Sequence, residues 1–355
     1  MGSTLLDATG RLRSVVLVLC ALGVARFGVN SPAARPIKPQ GAEGTAGTLA
    51  VDPKNDLPRL ENLENDVAEK KYETVVPLLK DYLKDYPNSA RGHYDLGYVF
   101  FRTHKIAESV AELSKSLRLD LTNAEAHKIL ALDCNIVNQY DLAERELEEA
   151  ARLKPDSAEI RYFLGRLYYT KGVYPLAKRE FEAAVRLNPS YMKAHNNLGL
   201  TMEVLGNNDA ALEQYTLAAH LNEEQKLNSE WPYVYLSAFY NRQEKAAPAL
   251  ECARKALETN PKSDLAYFQM AKAYRTESEW RNCADAAQKA VALNPKTPDF
   301  YYVLSYALRK LGETQQSQQA METFRKLQLE DSARAERRIN DKASGPDSMV
   351  LRDDE

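Results

Sequence analysis

Between residues 158 and 191 the apolar positions fall into two amphipathic stretches separated by a short polar turn. Leu164, Gly165 and Tyr168 share one face of the first stretch at helical spacing, and Ala177, Phe181 and Ala184 share one face of the second. Pro189 ends the second stretch, because proline lacks the amide hydrogen a helix needs and drives its predecessor toward extended backbone. The pattern predicts a hairpin of two short helices. Gly165, Ala177 and Ala184 allow close approach, while Leu164, Tyr168 and Phe181 fill the gaps. A hairpin of this size cannot bury its apolar face alone, so it must stack on others like it.

The same pattern returns along the chain. Proline recurs at 34-residue steps from Pro155 to Pro189 and from Pro261 to Pro295, and the same interval before Pro155 reaches Leu121 and then Pro87. After Pro189 the frame reaches Glu223. Four extra residues near 226–229 then shift it to Pro261, and Leu329 follows Pro295. In this frame a long apolar residue stands at Leu96, Leu130, Leu164, Leu198, Leu236, Met270 and Leu304, each followed by Gly, Ala or Ser. A small residue recurs at Ala143, Ala177, Ala211, Ala249 and Cys283, and another at Ala150, Ala184, Ala218, Ala256 and Ala290.

This arrangement resembles the tetratricopeptide repeat family, whose helix–turn–helix unit of about 34 residues carries Leu-Gly, Tyr, Ala, Phe, Ala and Pro at the same positions. The resemblance covers residues 56–331 as eight candidate repeats: 56–89, 90–123, 124–157, 158–191, 192–225, 230–263, 264–297 and 298–331. The outer copies depart from the pattern, as terminal repeats that cap a stack do. The first has Asn62 and Leu63 for the Leu-Gly pair and Pro77 inside its second helix, and the last has Ser317, Met321 and Phe324 at the small and aromatic sites. The resemblance implies an all-α fold, a right-handed superhelical α-solenoid of stacked helix–turn–helix repeats. The first helix of every repeat would line its concave wall.

Outside the repeats, Arg11 and Arg13 precede an apolar run over residues 14–25, which Arg26 ends. That length suits the apolar core of a secretory signal better than a bilayer span. Residues 1–30 are therefore expected to be a signal peptide or an N-terminal membrane anchor, with Ser31, Pro32 and Ala33 as a small-residue cleavage site. Acylation at Cys20 is a third fate, disfavoured by the bulk of Leu19 before it. Either way the protein is expected to be exported to the periplasm or cell envelope, with membrane contact only through residues 14–25 if they are retained. Residues 31–55 are expected to be a disordered Pro/Gly-rich linker, and 332–355 a capping extension of the last helix followed by a disordered tail.

Composition narrows the function. A formal net charge of −3 over 355 residues argues against nucleic acid as the main partner. Cys134, Cys252 and Cys283 lie far apart within repeat helices, without metal-site spacing, and read as packing residues. His93, His127 and His195 share one repeat position, which Tyr233, Tyr267 and Tyr301 fill in other copies, so they too read as packing residues. No phosphate-binding glycine loop, nucleophile elbow, HExxH or CxxC motif occurs, and no catalytic residue, cofactor or metal is expected.

The surface shared by the first helices is where function is expected. Its candidate groove residues are Tyr94, Tyr98, Arg102, Lys128, Tyr162, Arg166, Tyr169, Asn197, Arg242, Lys272, Arg275 and Tyr306. Rings bordered by Arg and Lys suit an extended peptide, since rings supply area at low entropy cost and cations hold carboxylates or carbonyls. The carboxylate clamp known in chaperone co-factors of this family is not matched, because Leu132 and Phe163 occupy its asparagine sites. The expected role is a non-catalytic scaffold binding a protein or peptide partner. The alternatives are a self-assembling envelope subunit, or an accessory subunit of an enzyme.

Overall fold

The computed structural model describes residues 57–344, with side chains through 333; the expected leader, linker and final tail residues lie outside the described residues. Sixteen α-helices, and no strand, occur among them: α1 (Leu57–Ala68), α2 (Tyr72–Asp85), α3 (Ala90–Arg102), α4 (Ile106–Leu119), α5 (Ala124–Ile136), α6 (Tyr140–Leu153), α7 (Ala158–Thr170), α8 (Tyr174–Leu187), α9 (Met192–Val204), α10 (Asn208–Glu224), α11 (Trp231–Arg242), α12 (Ala246–Thr259), α13 (Asp264–Thr276), α14 (Trp280–Leu293), α15 (Pro298–Lys310) and α16 (Thr314–Ser344). The chain divides into two compact units. One is the helical array Glu43–Leu329. Of the other, the described part is the helical stretch 330–344. No described helix is long and apolar enough to cross a membrane.

Within the array each helix packs on the next in chain order, which makes it an α-solenoid of stacked hairpins. Neighbouring first helices also touch: α1 on α3, α3 on α5, α7 on α9, α9 on α11, α11 on α13 and α13 on α15. No pair of second helices packs to a comparable extent. Between α5 and α7 the link is an ion pair from Lys128 to Glu159, so the first helices line one side of the array.

Local chemistry sets the helix ends. Ser89, Asn123, Ser157 and Ser263 cap α3, α5, α7 and α13, each side-chain oxygen accepting a hydrogen bond from the amide three residues on. Each first helix ends in a left-handed residue, at Lys70, His104, Asn138, Gly172, Gly206, Glu244, Ser278 and Gly312. The following amide then folds back, as Val173 N does to Tyr168 O at 2.9 Å and Glu279 N to Tyr274 O at 2.9 Å. Those bonds satisfy carbonyls that the helix end would otherwise leave unpaired.

The recurring small positions are where second helices enter the core. Ala143, Ala177, Ala211, Ala249 and Cys283 are fully buried, as are Ala150, Ala184, Ala218, Ala256 and Ala290. The four extra residues lengthen α10 to 17 residues and open a connection closed by Asn222. Its amide donates to Ser229 O, and its oxygen accepts from Ser229 N, each at 3.0 Å. Pro77 lies within α2 with its ring exposed, so it removes one helical hydrogen bond without ending the helix.

Candidate functional site

At the α3 end of the wall, Tyr94 and Tyr98 stack with ring centroids 6.3 Å apart. Arg102 donates a 2.8 Å hydrogen bond to Tyr98 Oη and lies over the Tyr72 and Tyr98 rings at 5.8 and 5.7 Å. Spacing of four residues puts Tyr94, Tyr98 and Arg102 on one face of α3. Burial pushes the Tyr94 hydroxyl well above its ordinary pKa, so it stays a neutral donor.

Two of the expected groove residues are instead spent inside the protein. Lys128 is buried on α5, its Nζ 2.5 Å from Glu125 Oε2 and 2.7 Å from Glu159 Oε2. Glu159 lies on α7, so this lysine joins two repeats rather than facing an open groove. Tyr162 is 7% exposed, and its ring packs on Phe181 and Tyr191 at 6.0 and 5.0 Å. It is covered by α8 and by Tyr191 at the entry to α9.

Arg166 is half-buried over the rings of Tyr162 and Phe163, and among the described residues it has no carboxylate partner. Tyr169 meets Tyr174 edge to face at 5.3 Å. Asn197 donates to Lys193 O at 2.8 Å within α9, so one of its two amide hydrogens is used locally. Tyr306 packs on Trp280 at 5.8 Å, with Arg309 and Lys310 over its ring.

A charged cluster lies between α9 and α15. Arg242 on α11 grips Glu203 on α9 through both Nε and Nη2, the latter 2.6 Å from Oε2, and Tyr215 Oη donates to the same oxygen at 3.1 Å. Burial works against the Arg242 charge, but Glu203 outweighs it and holds the guanidinium pKa above its ordinary value. Asn241 donates to Gln269 O and Oε1 at 2.9 and 3.0 Å, tying α11 to α13. On α13, Lys272 Nζ stands 5.6 Å from the Phe268 centroid, with Arg275 three residues further on. Burial, and then repulsion from Arg242 and Arg275, push the Lys272 ammonium down to about 8. Asp299, in the first turn of α15, is raised by burial although Lys272 attracts it.

Sequence reasoning missed Asp299 and Tyr215. The first reads as a helix-start acid, and the second as core, until the fold brings them to this cluster.

The shared histidine position is a bridge. Nδ1 of His93, His127 and His195 meets Glu112 at 2.6 Å, Glu146 at 2.6 Å and Gln214 at 2.8 Å on the following helix. Nε2 meets the carbonyl six residues earlier, of Pro87, Leu121 and Pro189. Burial raises the thiol pKa of Cys134 to about 12 and of Cys252 and Cys283 to about 11, leaving little thiolate for nucleophilic chemistry. Among the described residues no three His, Cys, Asp or Glu side chains are grouped to hold a metal.

Comparison with curated proteins yields no match. A family model described as tetratricopeptide repeat matches residues 137–177 and 169–225. Among solved structures, the chain is similar to the anaphase-promoting-complex hetero-tetramer Cut9-Hcn1 with TM-score 0.59 and 19% identity, over 73% of this chain and 50% of that one. It is similar to a tetratricopeptide repeat protein from Parabacteroides merdae with TM-score 0.57 and 17% identity, over 71% of this chain and 98% of that one. A third likeness is to YrrB, described as a TPR protein with an unusual peptide-binding site, with TM-score 0.43 and 22% identity over 53% of this chain and 95% of that one. The family model matches the central hairpins, and the hairpins on either side pack their helices in the same chain order, so the chain is an all-helical repeat array similar to tetratricopeptide repeat proteins.

Proposed function

We propose that the protein is a non-catalytic scaffold that holds an extended segment of a partner protein along the wall of its first helices. The observation that carries this reading is that rings on the first helices α3, α7, α13 and α15 lie under cations, of which Arg166 and Lys272 have no carboxylate partner among the described residues. Rings of this kind supply desolvated contact area, and unpaired cations supply register. Action in the cell envelope is part of the proposal, and it rests on the apolar run at residues 14–25.

A photocrosslinking residue placed at Tyr98 or Arg166 tests it, with exposed Arg186 on a second helix as the control. Crosslinks to the same partner from both wall positions, and none from Arg186, are expected. Crosslinks from Arg186 alone would move the binding face to the second helices.

A further inference from the structure

We infer that the wall from α9 to α15 docks an acidic segment of the partner, whose side-chain carboxylates seat on Lys272 and Arg275. The inference rests on the scaffold reading and names the chemistry of what the scaffold holds.

Two lysines on one wall stand in contrast. Lys128 is buried and is supplied with two carboxylates by its own chain, Glu125 and Glu159. Lys272 is half-buried, has Phe268 beneath its ammonium, and has no carboxylate within ion-pair distance among the described residues. Arg275 beside it also lacks one. Arg242 adds a third cation, and its double hydrogen bond to Glu203 stops it from swinging away.

The nearby acids do not neutralise this group. Glu203 is committed to Arg242 and Tyr215. Asp299 attracts Lys272 from a distance without pairing, and burial favours its protonated form. Three cations therefore face two carboxylates, one fully engaged and one weakened. Holding an ammonium out of water beside two guanidiniums is unfavourable unless an anion completes the site.

A peptide carboxylate fits better than a nucleic acid. The surplus is local, in a chain of net charge −3, whereas nucleic acid needs a long basic track to meet closely spaced phosphates. A carboxylate on Lys272 and Arg275 is also a charge-assisted contact in a partly desolvated place, where such contacts are strongest.

The test uses the full chain and a fluorescein-labelled peptide rich in Asp and Glu, beside the same peptide with Asn and Gln. The acidic peptide is expected to bind more tightly, and to weaken as salt is added. Lys272→Gln and Arg275→Gln should each weaken it roughly tenfold, and Asp299→Asn should strengthen it. Lys272→Gln removes a repelled ammonium, so it should not unfold the chain, and circular dichroism checks this. Independently, isotope-labelled methylation of the lysines should show the Lys272 titration moving up from about 8 when the acidic peptide is added.

Equal binding of the neutral peptide, indifference to both charge variants, or tighter binding of a single-stranded oligonucleotide at the same residues would overturn the assignment. Partner crosslinks that persist on the wall while these variants have no effect leave the scaffold standing and remove the acidic segment. Absence of crosslinks from the wall removes both.

Discussion

Gly165 on α7 sits so close to Phe181 on α8 that a β-carbon built on it would lie 2.6 Å from the ring. Gly199 stands in the same relation to Tyr215, at 2.8 Å. The ring and the missing side chain are one device: the first helix gives up its side chain so that the second can bring an aromatic to the hairpin axis. Where the second helix offers Ala287 instead of a ring, the first carries Ala271, and both are fully buried.

Gly165→Ala should therefore destabilise the array. Overpacking against a fully buried ring costs about 1–3 kcal/mol, and the better helix propensity of alanine returns at most about 1 kcal/mol. Urea unfolding followed by circular dichroism should show a lower midpoint. Combining the change with Phe181→Ala, as in the Ala271 and Ala287 pair, should recover less than the sum of the two losses. A midpoint at or above that of the parent would show that the hairpin opens freely to admit the methyl group.

His127 makes stability depend on pH. Its two ring nitrogens face a carboxylate and a carbonyl, neither of which can donate, so the fully bonded form is the imidazolium. Burial opposes that charge. The bonds to Glu146 and to Leu121 O outweigh burial and raise the pKa above its ordinary value. The contribution is fully present below about pH 6.5, the unfolded value, and is lost as pH rises through the raised native value. His127→Tyr should flatten that dependence and keep the fold. Tyr301 already fills the equivalent position, donating to Pro295 O across the same six-residue interval. Thermal melts of the two proteins from pH 5 to pH 9 should diverge at the acid end; parallel curves would place the pH-sensitive group elsewhere.

What was legible in the sequence was whatever repeats through packing. Leu164, Ala177 and Ala184 are buried, as are Leu130, Ala143 and Ala150 and Leu198, Ala211 and Ala218 at the same positions of the neighbouring copies, so their spacing announces the hairpins. The groove was legible by face and not by partner. Position alone marks Lys128 and Arg242 as wall cations, but the carboxylates that claim them, Glu159 and Glu203, arrive from neighbouring repeats. The same limit hid Tyr162, which Tyr191 covers from the entry to α9. Lys272 is the converse case, a wall cation that no neighbour meets.

Asp133 on α5 is fully buried, and neither carboxylate oxygen has a hydrogen-bond partner of good geometry. Burial raises its pKa to about 6, against a weaker lowering by Ser109. Because the native value lies above the unfolded one of about 4, stability falls as pH rises from about 4 to 6 and stays reduced above that. The loss is on the order of 3 kcal/mol at neutral pH. Asp133→Asn keeps the shape and removes the ionisation, so it should raise the unfolding midpoint at pH 7 and bring little gain at pH 4. An equal gain at both values would mean that the carboxyl titrates alike in the native and unfolded states.

The turn after each first helix offers a stabilising change. Ser278 holds φ at +61°, as Gly172 and Gly312 hold +75° and +79° at the same repeat position. A side chain in that conformation costs roughly 1–2 kcal/mol, whereas glycine adopts it without steric cost but loses more chain entropy on folding. Ser278 is exposed and its side chain makes no capping bond, and the turn is held by main-chain bonds from Ser278 N to Arg275 O and Glu279 N to Tyr274 O. Ser278→Gly removes the strain and leaves both bonds, so a net gain of about 0.5–1 kcal/mol is expected. Gly172→Ser should lose a similar amount, since a β-carbon at Gly172 meets nothing within 4 Å and only the backbone conformation resists it. Chemical denaturation of the two variants should shift in opposite directions. If instead Ser278→Gly shifts downward and Gly172→Ser upward, unfolded-chain entropy rather than native strain sets the residue preference at this turn.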